Sequence, residues 1–109
     1  MTTTPPPDPA SLPRLDRLLS DPTRLAIMSV LGTVEWCDFG FLRDAVVLSD
    51  SALSKQLTTL KNDGLVEQQR TYQGRVPKTT VRATDAGRHR FLDHVEALRL
   101  IVERSPRPA

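Results

Sequence analysis

The stretch SDSALSKQLTTLKNDGLV, residues 49–66, divides its side chains into two sets. Leu53, Leu57 and Leu60 recur at the three- and four-residue steps of one helical face. Ser51, Ser54, Lys55 and Thr58 fall on the other side, with Gln56 and Thr59 at the flanks and Asn62 at the end. Short hydroxyl side chains let a helix approach a partner closely while offering donors and acceptors. That is the chemistry of contact with base edges and phosphates in a DNA major groove. A helix kept only soluble would more often carry Glu and Lys, which also favour the helix itself. Downstream the charge turns positive: Arg70 to Arg90 holds six basic residues and one acidic, Asp85. Arg75, beside Gly74 at the tip of an expected hairpin, suits a minor groove, and Arg70 and Lys78 at the strand ends suit phosphates. Arg82, Arg88 and Arg90 equally suit ordinary ion pairs on a strand or helix surface.

Other chemistries find little support. His89 and His94 lie five residues apart, about 140° around a helix, so they do not share the face that an i, i+4 metal pair needs. No metal and no cofactor are expected. Cys37, the single cysteine, excludes an internal disulfide framework, and between Trp36 and Phe39 it reads as a small core residue rather than a redox trigger. No nucleophile–base pair, paired-carboxylate spacing or Gly-rich phosphate loop is present, so an enzyme is not expected. A small effector, identity unknown, would have to sit between the dimer helices and the DNA-binding core, near Trp36, Phe39 and Phe41.

These side chains need a scaffold, and 109 residues make one domain with one modest core. Only 5% of the residues are aromatic, so Leu, Val, Ile and Ala must fill that core, and a core so lean is commonly supported by dimerisation. The net charge of +2 conceals an asymmetry: Ser49 to Arg90 carries eight basic residues against four acidic, and the remainder is net negative. Such a concentration is the footprint of polyanion binding. MTTTPPPDPA lacks the basic and apolar regions of a secretory signal, and no run is long enough to span a membrane, so a cytoplasmic location is expected. Residues 1–10 read as a disordered Pro-rich leader, 11–105 as the domain, and 106–109 as a frayed tail.

Along the chain, Ser11 caps an expected first helix with Leu12, Leu15, Leu18 and Leu19 at apolar spacing. Asp21 and Pro22 start a second, with Leu25, Ile27, Met28, Val30 and Leu31 marking it as central and Gly32 ending it. Trp36 and Cys37 suggest a short extended segment before a third helix, roughly Phe39 to Val46. Ser49 or Asp50 caps the fourth, which runs to about Asn62, with Gly64 at a left-handed cap. Leu65 to Tyr72 and Lys78 to Ala83 form strands around the turn QGRVP. Thr84 caps a last helix reaching about Arg104.

A short connection between the third and fourth helices followed by a basic hairpin is the pattern of a winged helix-turn-helix, mainly α with a small β-hairpin wing. The first and last helices offer more apolar surface than a thin domain covers. Leu12, Leu15, Leu19, Phe91, Val95, Leu98 and Val102 are therefore expected at a homodimer interface, which would set two recognition helices about 34 Å apart on double-stranded DNA.

LLSDPTRLAIMSVL, LSDSALSKQLTTLKNDGLV and GRVPKTTVRATDAGR together resemble the small MarR-like and ArsR-like winged-helix transcriptional regulators over about Leu15 to Glu103. The last block, with Thr84-x-x-Gly87 opening the final helix, carries the most specific part of the likeness. The resemblance implies a dimeric regulator, usually a repressor, on a pseudo-palindromic operator. It assigns Ser51, Ser54, Lys55 and Thr58 to base and phosphate contacts, and Arg75 and Lys78 to the wing. Two competing classes are a winged helix used for protein contact, which need not keep its wing basic, and a single-strand binder, which would need more exposed aromatics than Tyr72.

Overall fold

The computed structural model describes residues 13–104. Its elements in chain order are α1 (Pro22–Leu31), β1 (Cys37–Asp38), α2 (Phe39–Ala45), α3 (Asp50–Asn62), β2 (Val66–Gln73), β3 (Val76–Ala83) and α4 (Asp85–Arg104). The leader 1–10, the tail 106–109, Ser11 and Leu12 lie outside the described residues.

The helices start where their capping residues stand. The Asp21 carboxylate accepts from the Arg24 amide at 3.0 Å and Pro22 occupies the first turn of α1. Asp38 caps α2 through the Phe41 amide, and the Ser49 hydroxyl caps α3 through the Ala52 amide at 3.1 Å. Ile27, Met28 and Leu31 from α1, Leu42 from α2, and Leu53, Leu57 and Leu60 from α3 converge on Leu65, Val66, Val81 and Ala83 at the root of the sheet. Each leucine so enclosed contributes about 2 kcal/mol of burial.

The expected first helix is not formed. Pro13 to Asp16 is irregular, and a single turn follows in which the Ser20 amide bonds the Asp16 carbonyl. The amides that a helix begun at Ser11 would pair internally are taken elsewhere. The Asp16 amide donates to Nδ1 of His94 on α4 at 2.9 Å, and the Asp16 carboxylate accepts from the Leu18 and Leu19 amides. Leu19, expected at a dimer interface, is instead fully buried in the protomer's own core.

The sheet order is β1-β3-β2, antiparallel throughout. The extended segment at Cys37 thus becomes a third strand, pairing Cys37 with Val81 and Asp38 with Thr80. The hairpin is tighter than the five-residue turn expected from QGRVP: Gln73 pairs with Val76, leaving only Gly74 and Arg75 between. Gly74 at φ 66 followed by a residue of ordinary φ is the two-residue connection whose twist suits a hairpin. Pro77 is tolerated because β1 pairs with β3 no further than Thr80, so β3 has a partner on only one side there.

Candidate nucleic-acid interface

The helix-turn-helix is made by α2, α3 and the residues between them. After α2 the Val47 amide bonds the Asp44 carbonyl and the Leu48 amide bonds the Arg43 carbonyl, a Schellman closure with Val47 at the left-handed position. Its φ is 55, the one positive value at a non-glycine among the described residues. Arg43 spans the turn, pairing with Asp44 at 2.9 Å and Asp50 at 2.8 Å. Those two carboxylates raise the guanidinium's pKa.

α3 is divided as its spacing requires. Leu53, Leu57 and Leu60 are fully buried, and Ser51, Ser54, Lys55 and Thr58 are all exposed. The Thr58 hydroxyl donates to the Ser54 carbonyl at 2.9 Å, which leaves its lone pairs facing outward. The Ser51 hydroxyl lies 3.3 Å from that of Ser49. Gln56, at the flank, accepts from Arg24 at 3.1 Å and so faces α1 rather than the open side.

The far end of α3 is locked. Gly64, φ 77, holds the left-handed position of a second Schellman closure, in which the Leu65 amide bonds the Leu60 carbonyl. The Thr84 hydroxyl donates to the Gly64 carbonyl at 2.5 Å and accepts from the Gly87 amide at 3.0 Å, so one side chain caps α4 and ties it to the exit of α3. Gly87 is needed because a Cβ there would stand 2.0 Å from the Leu65 carbonyl oxygen. Thr84-x-x-Gly87 is thus a joint between α3 and α4. Arg90, one turn on, donates Nε and Nη2 to the Asp16 carboxylate at 2.8 and 3.1 Å, and Nη1 to Asp63, which caps the end of α3. The Arg90 hydrogen bonds hold the Asp16 carboxyl below the usual carboxylate range, and Asp16 in turn raises Arg90.

These contacts sort the basic residues. Arg82 pairs with Glu67 and lies 5.2 Å from the centre of the Trp36 ring, Arg88 donates to the Val34 carbonyl, and Arg90 is in the joint. Lys78 reaches Asp38 only at 3.7 Å, with both side chains well exposed. Lys55, Lys61, Arg70 and Arg75 are exposed and have no ion pair among the described residues. The structure therefore brings an exposed polar helix face and a wing with two unpaired arginines, Arg70 and Arg75, onto one domain.

Cys37 is buried, and that burial raises its thiol pKa. Among the described residues no three His, Cys, Asp or Glu side chains converge to hold a metal; His94 is buried and His89 exposed. An apolar hollow is lined by Met28, Gly32, Ala83, Phe91 and Leu92, with Arg88; Trp36, Phe39 and Phe41, near which an effector was expected, do not line it. Of the residues assigned to dimerisation, Leu15, Val95 and Val102 are exposed, Leu98 is half-buried, and Phe91 packs against the core. No described helix is long and apolar enough to cross a membrane.

The joint of Asp16, Asp63, Arg90 and His94 was not visible in the sequence, since its partners stand up to 78 residues apart. Val47 carried no signal either, as a valine is the last residue type expected at positive φ.

The chain is 31% identical over 80 residues to an uncharacterised protein of Methanocaldococcus jannaschii, covering 72% of this chain and 86% of that one. Its fold is similar to that of a transcriptional regulator homologue from Pyrococcus horikoshii OT3, with a TM-score of 0.76, 25% identity, and coverage of 81% and 87% of the two chains. It is also similar to MepR of S. aureus, solved as a DNA complex, with a TM-score of 0.69, 12% identity, and coverage of 81% and 75%. Of the two solved structures, one is thus a transcriptional regulator homologue and the other a protein bound to DNA. Residues 23–102 match the winged helix DNA-binding domain, and the chain belongs to that family.

Proposed function

We propose that this chain is a cytoplasmic transcriptional regulator, a repressor, acting as a homodimer on a pseudo-palindromic operator. α3 lies in the major groove, and the wing from Arg70 to Lys78 meets the adjacent minor groove. One observation carries the reading: Ser51, Ser54, Lys55 and Thr58 stand exposed on a helix anchored by three buried leucines, while Arg70 and Arg75 remain unpaired beside it. MepR, a protein of similar fold, is bound to DNA in its complex, which supports DNA as the partner. Leu92, Val95 and Val102, all exposed on α4, support a second copy as partner through a self-complementary contact.

The test is fluorescence anisotropy of the full chain titrated into genomic duplex fragments, its own promoter among them, at several salt concentrations. Selective binding near physiological salt with two protomers per site is expected. Arg75→Ala should flatten the salt dependence by about one unit of slope. Weak binding to every fragment that disappears with added salt would overturn the reading.

A further inference from the structure

The wing does not end as a merely solvated hairpin would. Beyond Thr80, where β1 stops, β2 and β3 continue as a two-stranded ribbon to the turn at Gly74. At about 3.3 Å per residue the ribbon projects about 16 Å past the third strand. Its outer positions are apolar as well as basic: Tyr72 is 68% exposed and Val76 65%, with Pro77 exposed between Val76 and Lys78.

Register decides where these side chains face. Val66, Val81 and Ala83 are buried on the face that meets the helices, and alternation puts Arg70, Tyr72, Thr79 and Pro77 on that same face further out. Tyr72 stands directly across from Pro77, and Arg70 follows on the same strand. Val76, Lys78 and Thr80 occupy the opposite face. The ribbon end is thus apolar on both faces, with Arg70, Arg75 and Lys78 around it.

A partner fitting this surface must be anionic and must also present apolar walls. Phosphate alone satisfies the arginines and leaves a tyrosine, a valine and a proline in water. The DNA minor groove offers both, because its walls are sugar C–H surfaces edged by phosphates. The groove is only about 6 Å wide, and a ribbon with side chains on both faces is about 10 Å thick. It can enter only where the groove opens, and apolar side chains at a minor groove open it by unstacking and bending the duplex.

From this we infer that Tyr72, backed by Pro77, is an apolar wedge that the wing presses into the minor groove, bending the DNA and favouring flexible pyrimidine–purine steps at the edges of the site. The inference rests on the DNA-binding reading above. It assigns specificity to positions that no side chain reads by hydrogen bonding, because the deformation energy depends on the sequence deformed.

The experiment uses the full chain and a duplex of about 30 bp, selected from a random pool for binding and labelled with a dye at each end. Wild type should shorten the end-to-end distance on binding. Tyr72→Ser, at an exposed position that leaves the fold intact by circular dichroism, should bind about tenfold more weakly and lose the shortening, with its salt slope unchanged. Tyr72→Phe should restore both. Arg75→Ala should change the slope instead. Binding by wild type without shortening, or equal shortening by Tyr72→Ser, would overturn the wedge while leaving the regulator reading intact. Failure of wild type to bind any selected duplex would overturn both. A tip that bound polyglutamate but no duplex would belong to an acidic protein partner, and the wedge would again be overturned.

Discussion

The helix α3 is held very differently at its two ends. Both ends are flanked by Schellman closures, one after α2 and one after α3 itself, and there the likeness stops. The exit of α3 has Gly64 at its left-handed position, the Leu65 carbonyl against Gly87, the Thr84 hydroxyl on the Gly64 carbonyl, and Arg90 on Asp63. The entrance has Val47 in the same conformation, 87% exposed, and an ion pair from Arg43 to Asp50 in solvent. The exit is fixed by close packing and shared hydrogen bonds. The entrance is held by the Ser49 cap, a strained turn and surface charge. A helix fixed at one end and compliant at the other keeps its position relative to α4 while its first turns, with Ser51 and Ser54, can adjust to a partner.

The comparison breaks most severely at Gly87. A methyl group there meets the Leu65 backbone carbonyl, which cannot swing aside as a flexible side chain would. Gly87→Ala should cost about 3 kcal/mol and lower Tm by more than about 10 °C. Thermal melting followed by circular dichroism reads this directly. A loss below a few degrees would mean that the joint between α3 and α4 is loose.

Asp16 comes next. Asp16→Asn removes a bidentate charged contact to Arg90 and should cost about 1–2 kcal/mol. The carboxyl's folded pKa is lowered by Arg90, so its stabilisation is complete above the ordinary unfolded value and is lost as pH falls through the folded one. Wild-type Tm should therefore drop below about pH 4, and Asp16→Asn should show a shallower acid limb. Parallel limbs for the two proteins would place the acid sensitivity elsewhere.

How far the sequence revealed these two ends follows from what local pattern can encode. Asp21-Pro22, Ser49, the leucine spacing and Gly64 each act within a turn of themselves, and the structure forms α1 and α3 where they stand. The wing needed only alternation and a glycine, though its turn closed more tightly than QGRVP suggested. The segment before α1 has helical spacing too, yet forms one turn, because His94 and Arg90 claim the amide and carboxylate of Asp16. The same capture draws Leu19 into the core. Thr84-x-x-Gly87 stood out as a motif, but the reason for it, the Leu65 carbonyl lying against the helix, exists only once the chain has folded. The exposed face of α3 was legible because exposure follows from spacing alone.

Val47→Gly sharpens the comparison in the stabilising direction. The side chain is almost fully exposed, so little burial is lost, and the left-handed conformation ceases to be strained. A gain of about 0.5–1 kcal/mol is expected after the added entropy of an unfolded glycine. Gly64→Val, the reciprocal change, should lose about as much or more, since Gly64 has the larger φ of 77. Chemical denaturation at constant m-value distinguishes the two. If Val47→Gly destabilises, the valine makes a contact that its exposure conceals, and the entrance is not strained.

The smallest effect should come from Arg43→Ala. Its pairs with Asp44 and Asp50 have good geometry, but both carboxylates are more than 70% exposed, where water and salt screen them. Tm should not change measurably in physiological salt, whereas Arg90→Ala should lower it clearly. Amide exchange should still respond: without the bridge, Ala52 and Leu53 at the start of α3 should exchange faster, while Leu60 and Leu65 at its exit stay protected. That split separates the two ends of one helix in a single measurement. Equal protection at both ends in Arg43→Ala would show that the entrance is anchored by the buried leucines alone, and the contrast drawn between the ends would then rest on Val47.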